Sequence, residues 1–243
     1  MPTTTFRVGT PSTSNTANYA SGSFSPAVGD LLIVFAVFTG NAGAVNTATV
    51  TESVGQTGFS RIDSALFTSS ANVVMSFVAN SFSTSTASRT VTFHTNGGNA
   101  TGCTVIVYSI SGMLRTGLDA IRQHAEQPNL AAGTTPAPVF TNTCLTGNVT
   151  LGVVGNTTNP ATITPPTNWT EDLDTGYSTP SCGAESVHRD SGFTGTTITW
   201  GSAGSTGKGV ITLELDSSDA VLPVNPEGLV VQANINPIQI IPY

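Results

Sequence analysis

The side chains best suited to chemistry are the fourteen carboxylates of this 243-residue chain. Three of them fall in the stretch Glu171-Asp172-Leu173-Asp174-Thr175-Gly176, and closely spaced acids ahead of a glycine occur in some calcium loops. The later acidic ligand that completes an EF-hand loop is missing here. A solvated turn is therefore the favoured interpretation, and we predict no metal and no cofactor.

Two other kinds of residue could act on sugars. A glycoside hydrolase needs two carboxylates in one groove, and the candidates are Asp119, Glu126 and Glu185, whose spacing singles out no pair. A sugar-stacking platform needs exposed aromatic rings. The candidate rings are Trp169, Trp200, Tyr19, Tyr108 and Tyr177. Both tryptophans occupy positions that commonly seal the core of a sandwich, so core packing is favoured over a ligand face.

The glycine-rich tract at residues 201–209, GSAGSTGKG, carries the only lysine, Lys208. It does not match a phosphate-binding loop, because Ser202 replaces the first glycine and Gly209 replaces the final Ser or Thr. A hairpin loop is the better interpretation. The histidines share no metal-ligand spacing, and no nucleophile motif is present. They are His94, His124 and His188. We therefore predict that the chain is not an enzyme.

Composition excludes further classes of function. Charged residues make up 9% of the chain, against about 25% in a typical soluble domain. A net charge of -7 with scattered arginines argues against nucleic-acid binding, which needs clustered cations. The longest apolar run, residues 31–38, is too short to span a membrane, and the N-terminal residues lack the features of a secretory signal. Three cysteines, an odd number, predict free thiols in a protein assembled in a cytoplasm.

The elements that must position these residues are short β-strands. Runs of alternating or β-branched residues, separated by Gly, Asn, Ser and Pro, recur along the whole chain. Strands are predicted at residues 29–38, 48–52, 59–67, 73–82, 89–95, 101–111, 118–124, 138–142, 148–155, 171–175, 184–189, 196–200 and 208–216, and residues 118–126 are the one stretch where a short helix is plausible. This pattern predicts an all-β fold, a two-sheet antiparallel β-sandwich of jelly-roll type at residues 25–216. An extended segment at residues 1–24 precedes it.

The last part of the chain, residues 217–243, is predicted to be an extended docking arm. It is too apolar for a free tail, and its four prolines disfavour an ordinary core strand. An arm of this kind needs a surface that supplies backbone hydrogen bonds as well as apolar contacts. The interacting residues are predicted to be Leu222, Val224, Leu229, Val231, Ile235, Ile238, Ile240, Ile241 and Tyr243.

Several sequence segments together resemble a broad group of jelly-roll β-sandwich virion proteins of tailed bacteriophages. The segments are GDLL at 29–32, VIVYSISG at 105–112, LDA at 118–120, NVTLGVV at 148–154, PPTNWT at 165–170, TITW at 197–200 and VITLEL at 210–215. The resemblance implies a head decoration (cement) protein or a tail or fibre module, and it brings no catalytic motif.

Resemblance and arm together lead to the hypothesis of a structural protein located in the virion and assembled in the host cytoplasm. It would be a capsid decoration protein that stabilises the head. Its partners would be copies of itself, for example in a trimer, and the major capsid protein or neighbouring virion subunits, with no nucleic acid and no membrane. The alternative is a tail or fibre domain that binds host surface glycans. A third hypothesis is a glycoside hydrolase of jelly-roll fold.

Overall fold

The computed structural model describes residues 1–55, 58–68, 71–159, 163–202, 204 and 206–217. Thirteen antiparallel strands account for most of its regular structure, and the described residues contain two short 3-10 helices, Ala42–Asn46 and Gly117–Ala120, but no α-helix. The strands are β1 (Thr3–Ser12), β2 (Asn18–Ala20), β3 (Leu31–Thr39), β4 (Thr49–Glu52), β5 (Phe59–Phe67), β6 (Asn72–Ala79), β7 (Val91–His94), β8 (Gly102–Ser111), β9 (Ile121–Leu130), β10 (Thr150–Asn156), β11 (Thr170–Ser178), β12 (Ser181–Arg189) and β13 (Lys208–Leu215).

These strands form two five-stranded sheets and one small sheet. The first sheet has the order β1-β8-β3-β6-β5, the second the order β11-β12-β10-β13-β9, and the small sheet the order β2-β7-β4. All nine residues of β3 are buried, as expected for a central strand that is apolar on both faces. Its position in the middle of the first sheet confirms the prediction for residues 29–38.

The first sheet is the middle layer of the molecule. On one face, the Phe93 ring from the small sheet packs 5.1 Å from that of Phe38 and 6.1 Å from that of Phe77. On the opposite face, Tyr108 reaches Ser186 of the second sheet, with 2.7 Å between their hydroxyl oxygens. One apolar core therefore lies between the two large sheets, and a second lies under the small sheet.

Loops cover the outer face of the second sheet. Phe140, Ile198 and Trp200 pack there in a separate apolar cluster, and all three are buried. Trp200 comes so close to the sheet that a Cβ at Gly152 would lie 2.7 Å from the indole ring. Only glycine fits at that position, because real Cβ atoms do not approach so near.

The fold prediction is confirmed at the level of an all-β protein with antiparallel sheets packed as a sandwich. The jelly-roll type is not confirmed, because each large sheet takes its strands from one part of the chain, residues 3–111 or 121–215. Residues 138–142 and 196–200, predicted as strands, pair antiparallel outside the three sheets. The pairing consists of a bridge between Val139 and Thr197 and two backbone hydrogen bonds, from Phe140 N–H to the Thr196 carbonyl (2.7 Å) and from Ile198 N–H to the Pro138 carbonyl (3.2 Å). The suggested helix at 118–126 is one 3-10 turn followed by β9.

The two ends of the chain differ in what the structure describes. Residues 1–24, predicted to be extended, contribute β1, which pairs with β8, and β2, which pairs with β7. Residues 218–243 lie outside the described residues. The predicted arm, and all the contact residues assigned to it, fall in that segment.

Candidate functional site

The place where the chain leaves the sandwich is defined by the last strand, β13. This strand is hydrogen-bonded to β10 on one side and to β9 on the other. Leu213 and Leu215 are fully buried in the core between the sheets. Both sides of β13 are therefore occupied, so the arm that follows cannot extend the sheet at β13 itself.

Side chains and backbone hold the exit of the chain in place. The Asp216 backbone N–H donates to the Ala120 carbonyl (2.8 Å), and its carboxylate lies 3.2 Å from the Arg115 guanidinium. The Ser217 backbone N–H donates to Asn148 Oδ1 (3.2 Å). The direction in which the arm starts is thus fixed by two neighbouring loops.

Three exposed leucines belong to the loops that hold this exit, and we call them the exit surface: Leu114 and Leu118, each 54% exposed, and Leu145, 44% exposed. Leu114 precedes Arg115, Leu118 lies two residues before Ala120, and the Leu145 carbonyl accepts a hydrogen bond from the Asn148 backbone N–H. Single exposed leucines are ordinary, but apolar side chains gathered on one surface mark interaction sites.

Two shallow clefts flank the exit surface. The first, about 480 Å³, is lined by Phe82, Leu114, Arg115, Thr116 and Asp119. The second, about 410 Å³, is lined by Ile62, Leu118, Ile121 and Thr141 together with the polar residues Arg61, Arg122, Gln123 and His124. Both clefts combine apolar walls with cationic side chains.

A buried carboxylate supports the loops around the exit. Glu214 is fully buried on β13, and it accepts hydrogen bonds from the backbone N–H of Leu145 (2.8 Å) and from Asn148 Nδ2 (2.7 Å). It also pairs with Arg122 at 2.5 Å. A buried charge with this many donors is well compensated, so the loop carrying Leu145 is anchored to the sheet.

The three glycosidase candidates do not come together. Asp119 lies in the 3-10 turn beside the first cleft, Glu126 lies on the edge strand β9, and Glu185 is fully buried on β12. Burial, followed by repulsion from Glu171 and Asp174, raises the pKa of Glu185 to about 8. Such a raised pKa suits a general acid, but a side chain with no exposed surface cannot reach a substrate.

The acidic side chains of residues 171–174 do not share one environment. Asp172 forms an ion pair with His188 (2.7 Å) and accepts a hydrogen bond from the Tyr108 hydroxyl (2.9 Å). Burial acts to lower the pKa of His188, but Asp172 more than offsets this and the pKa is raised. Glu171 and Asp174 are exposed. Within the described ranges, no three His, Cys, Asp or Glu side chains converge closely enough to hold a metal ion.

The other two histidines also join strands. His124 on β9 pairs with Asp63 on β5 at 2.7 Å, and this hydrogen bond raises the pKa of His124. On β7, His94 Nδ1 lies 2.6 Å from Asn18 Oδ1 of β2, and His94 Nε2 lies 2.8 Å from Thr51 Oγ1 of β4. Each of these partners lies on a neighbouring strand or sheet, so both histidines have a structural role.

The lysine and the aromatic residues are part of the packed interior. Lys208 is buried at the start of β13, where its ammonium donates to the backbone carbonyls of Thr206 (2.7 Å) and Ala131 (3.1 Å). Trp200 and the three candidate tyrosines are at most 3% exposed. Trp169 is half-buried against Phe193, with ring centroids 5.6 Å apart. No platform of exposed rings exists among the described residues.

The cysteines are free and buried, as predicted. Burial raises the pKa of Cys103 well above its ordinary value and that of Cys144 and Cys182 to about 12. Nucleophilic cysteines need the opposite shift, because the thiolate is the reactive form. All three therefore act as small apolar residues.

No protein-family model matches this sequence, and no curated protein is significantly similar to it. In the part of the chain that the structure describes, no helix is long and apolar enough to cross a membrane.

The exit surface is a candidate interaction surface that the sequence did not predict. Leu114 and Leu145 lie outside the predicted strands, in sequences rich in Gly, Ser and Thr, and Leu118 is the first residue of the stretch predicted as a strand at 118–124. Large apolar residues in a turn sequence are the signal that identifies such a surface.

Proposed function

We propose that this chain is a structural, non-enzymatic virion protein, in particular a capsid decoration protein. Its sandwich would lie on the head lattice while residues 217–243 contact a neighbouring subunit. The supporting observation is that β13 has a hydrogen-bonded strand on both sides and packs its leucines in the core, so the apolar segment of 26 residues that follows is not needed to pair with β13. A segment that apolar favours a contact elsewhere.

The composition of the chain supports the same role. Contacts that last for the lifetime of a particle benefit from surfaces that do not respond to salt, and a chain with 9% charged residues has few ion pairs to screen. The quoted segments that resemble jelly-roll virion proteins overlap β3, β8, β10 and β13, four of the central strands of the two large sheets. Assembly in the host cytoplasm, as a homo-oligomer such as a trimer bound to the major capsid protein, completes the proposal.

A glycan-binding tail or fibre domain is the second candidate, because one cleft suits sugar hydroxyls. This cleft, about 680 Å³, is lined mainly by hydroxyl and amide groups, with Ser12, Thr13, Asn159, Ser178 and Thr179 among its residues. Its only aromatic residue, Tyr177, is 3% exposed. Sugar-binding sites usually offer a ring face, so we rank this function second.

The copy number of the chain in purified particles separates these candidates. A decoration protein is expected at one copy or more for every few copies of the major capsid protein, whereas a tail or fibre domain is expected at a few copies per particle. Quantitative mass spectrometry of whole virions gives this ratio. Absence of the chain from particles would refute both.

A further inference from the structure

The exit surface and the arm have complementary chemistry. Leu114, Leu118 and Leu145 are three of the six large apolar residues that are exposed in the described part of the chain. They belong to the loops that bind Asp216 and Ser217, from which an apolar segment continues. Burying a leucine or valine side chain contributes roughly 1.5–3 kcal/mol, so leaving both partners in water is unfavourable.

The charges of the arm and of the cleft beside the exit surface are also complementary. Residues 218–243 contain Asp219 and Glu227 and no basic residue. The second cleft beside the exit surface carries Arg61, which is exposed and forms no ion pair with the described residues. A cation without a partner next to the exit favours an acidic segment over a basic one.

The reach of the chain divides the arm into two parts. Leu222 follows Ser217 by five residues, which span at most about 18 Å when extended, and Val224 at most about 25 Å. Both residues can reach the exit surface, whose leucines lie within two or three residues of the groups that bind Asp216 and Ser217. Residues 228–243 can extend about 50 Å further, beyond what three leucines can cover.

We propose that residues 218–227, the arm root, dock on the exit surface of their own chain, with Leu222 and Val224 against Leu114 and Leu118. Residues 228–243, the arm tip, then point away from the body and are the part that meets a neighbour. Tethering gives the root an effective concentration in the millimolar range, so another copy at micromolar concentration does not displace it. This inference rests on the proposed function only for the role of the tip.

Hydrogen exchange followed by mass spectrometry on the full chain tests the docked root. The variant Leu114→Ser/Leu118→Ser removes the apolar contacts, and both positions are exposed, so the fold is retained. Val139→Ser is the matched control, because Val139 is 60% exposed but lines neither of the clefts beside the exit surface. We expect the root amides of the wild type and the control to exchange at least about tenfold more slowly than a free coil, and those of the double variant to exchange at the coil rate.

Three results would overturn the inference: coil-like exchange of the root in the wild type, protection that survives in the double variant, or protection that is lost on hundredfold dilution. The last would assign the surface to the arm of a second copy. Failure of the proposed function looks different. If the root is protected but the chain never assembles, the docked root stands and the assembly role is refuted. If the chain assembles but the root is unprotected, the assembly role stands and the docked root is refuted.

Discussion

Replacing Glu185 by glutamine tests the description of the second sheet. Glu185 is fully buried, and neither of its carboxylate oxygens makes a hydrogen bond of normal geometry with the described residues, although the nearby Trp200 indole N–H and Ile163 backbone N–H act to lower its pKa. The Trp200 indole nitrogen likewise makes no hydrogen bond of normal geometry with the described residues. Burial, then repulsion from Glu171 and Asp174, raises the pKa of Glu185 to about 8. At neutral pH the folded protein holds this carboxyl protonated, whereas the unfolded chain ionises it.

The magnitude follows from proton linkage. Because the folded pKa lies above the ordinary value of 4.5, the folded state binds more protons between these values, and stability falls as the pH rises through this window. At about 1.4 kcal/mol per pH unit, the wild type should lose ~4 kcal/mol between about pH 5 and about pH 9 through this residue alone. Glutamine has nearly the same shape and never ionises, so Glu185→Gln removes the loss.

Urea unfolding at a series of pH values measures the effect. Glu185→Gln and the wild type should be similar in stability at acidic pH, and the variant should be the more stable by ~4 kcal/mol near pH 9. Glu214→Gln is the matched control, since Glu214 is equally buried on the same sheet but bonded to Arg122 and Asn148. Removing that partnered charge should destabilise by about 3 kcal/mol at neutral pH. Parallel stability curves for Glu185→Gln and the wild type would refute the reasoning.

Three further predictions concern the core and metal binding. Thiol titration of the denatured, unreduced protein should find three reactive thiols, because all cysteines are free; a count of one would show a disulfide. The melting temperature should hardly change with EDTA or salt, given the few charges of the chain, and a fall of many degrees with EDTA would restore the metal interpretation of Asp172 and Asp174. Gly152→Ala should destabilise by about 1–3 kcal/mol, since the new methyl group meets Trp200; unchanged stability would show that the indole can move aside.

The central strands were predictable from the sequence because their pattern is local. The run at β3 is apolar on both faces, and the alternation of Val91 and Phe93 in β7 gives one buried and one wetter face, as found. The edge strand β1 was predicted only as extended chain, since its sequence TTTFRVGTPS is rich in Thr and interrupted by Gly and Pro. Its pairing with β8, about 100 residues away, is a long-range feature.

Strands were predicted at residues 138–142 and 196–200, and these segments do pair through backbone hydrogen bonds, but outside the two large sheets. Their residues Phe140, Ile198 and Trp200 are buried against the second sheet. The exit surface was missed because the exposure of Leu114 and Leu118 depends on where β13 ends, and that is set by the whole sandwich. The predicted contact residues of the arm lie outside the described residues and stay a prediction.

The most direct test of the docking arm compares the full chain with a chain that ends at Ser218. Native mass spectrometry gives the assembly state, and thermal unfolding reports whether the sandwich is intact. We predict that the full chain forms an oligomer or binds capsids. The shortened chain should be a folded, soluble monomer that does neither, because β13 is paired on both sides and Leu213 and Leu215 are already buried before the cut. A well-folded shortened chain that still assembles or binds capsids would contradict the account, as would one that unfolds or aggregates because residues 219–243 are part of the core.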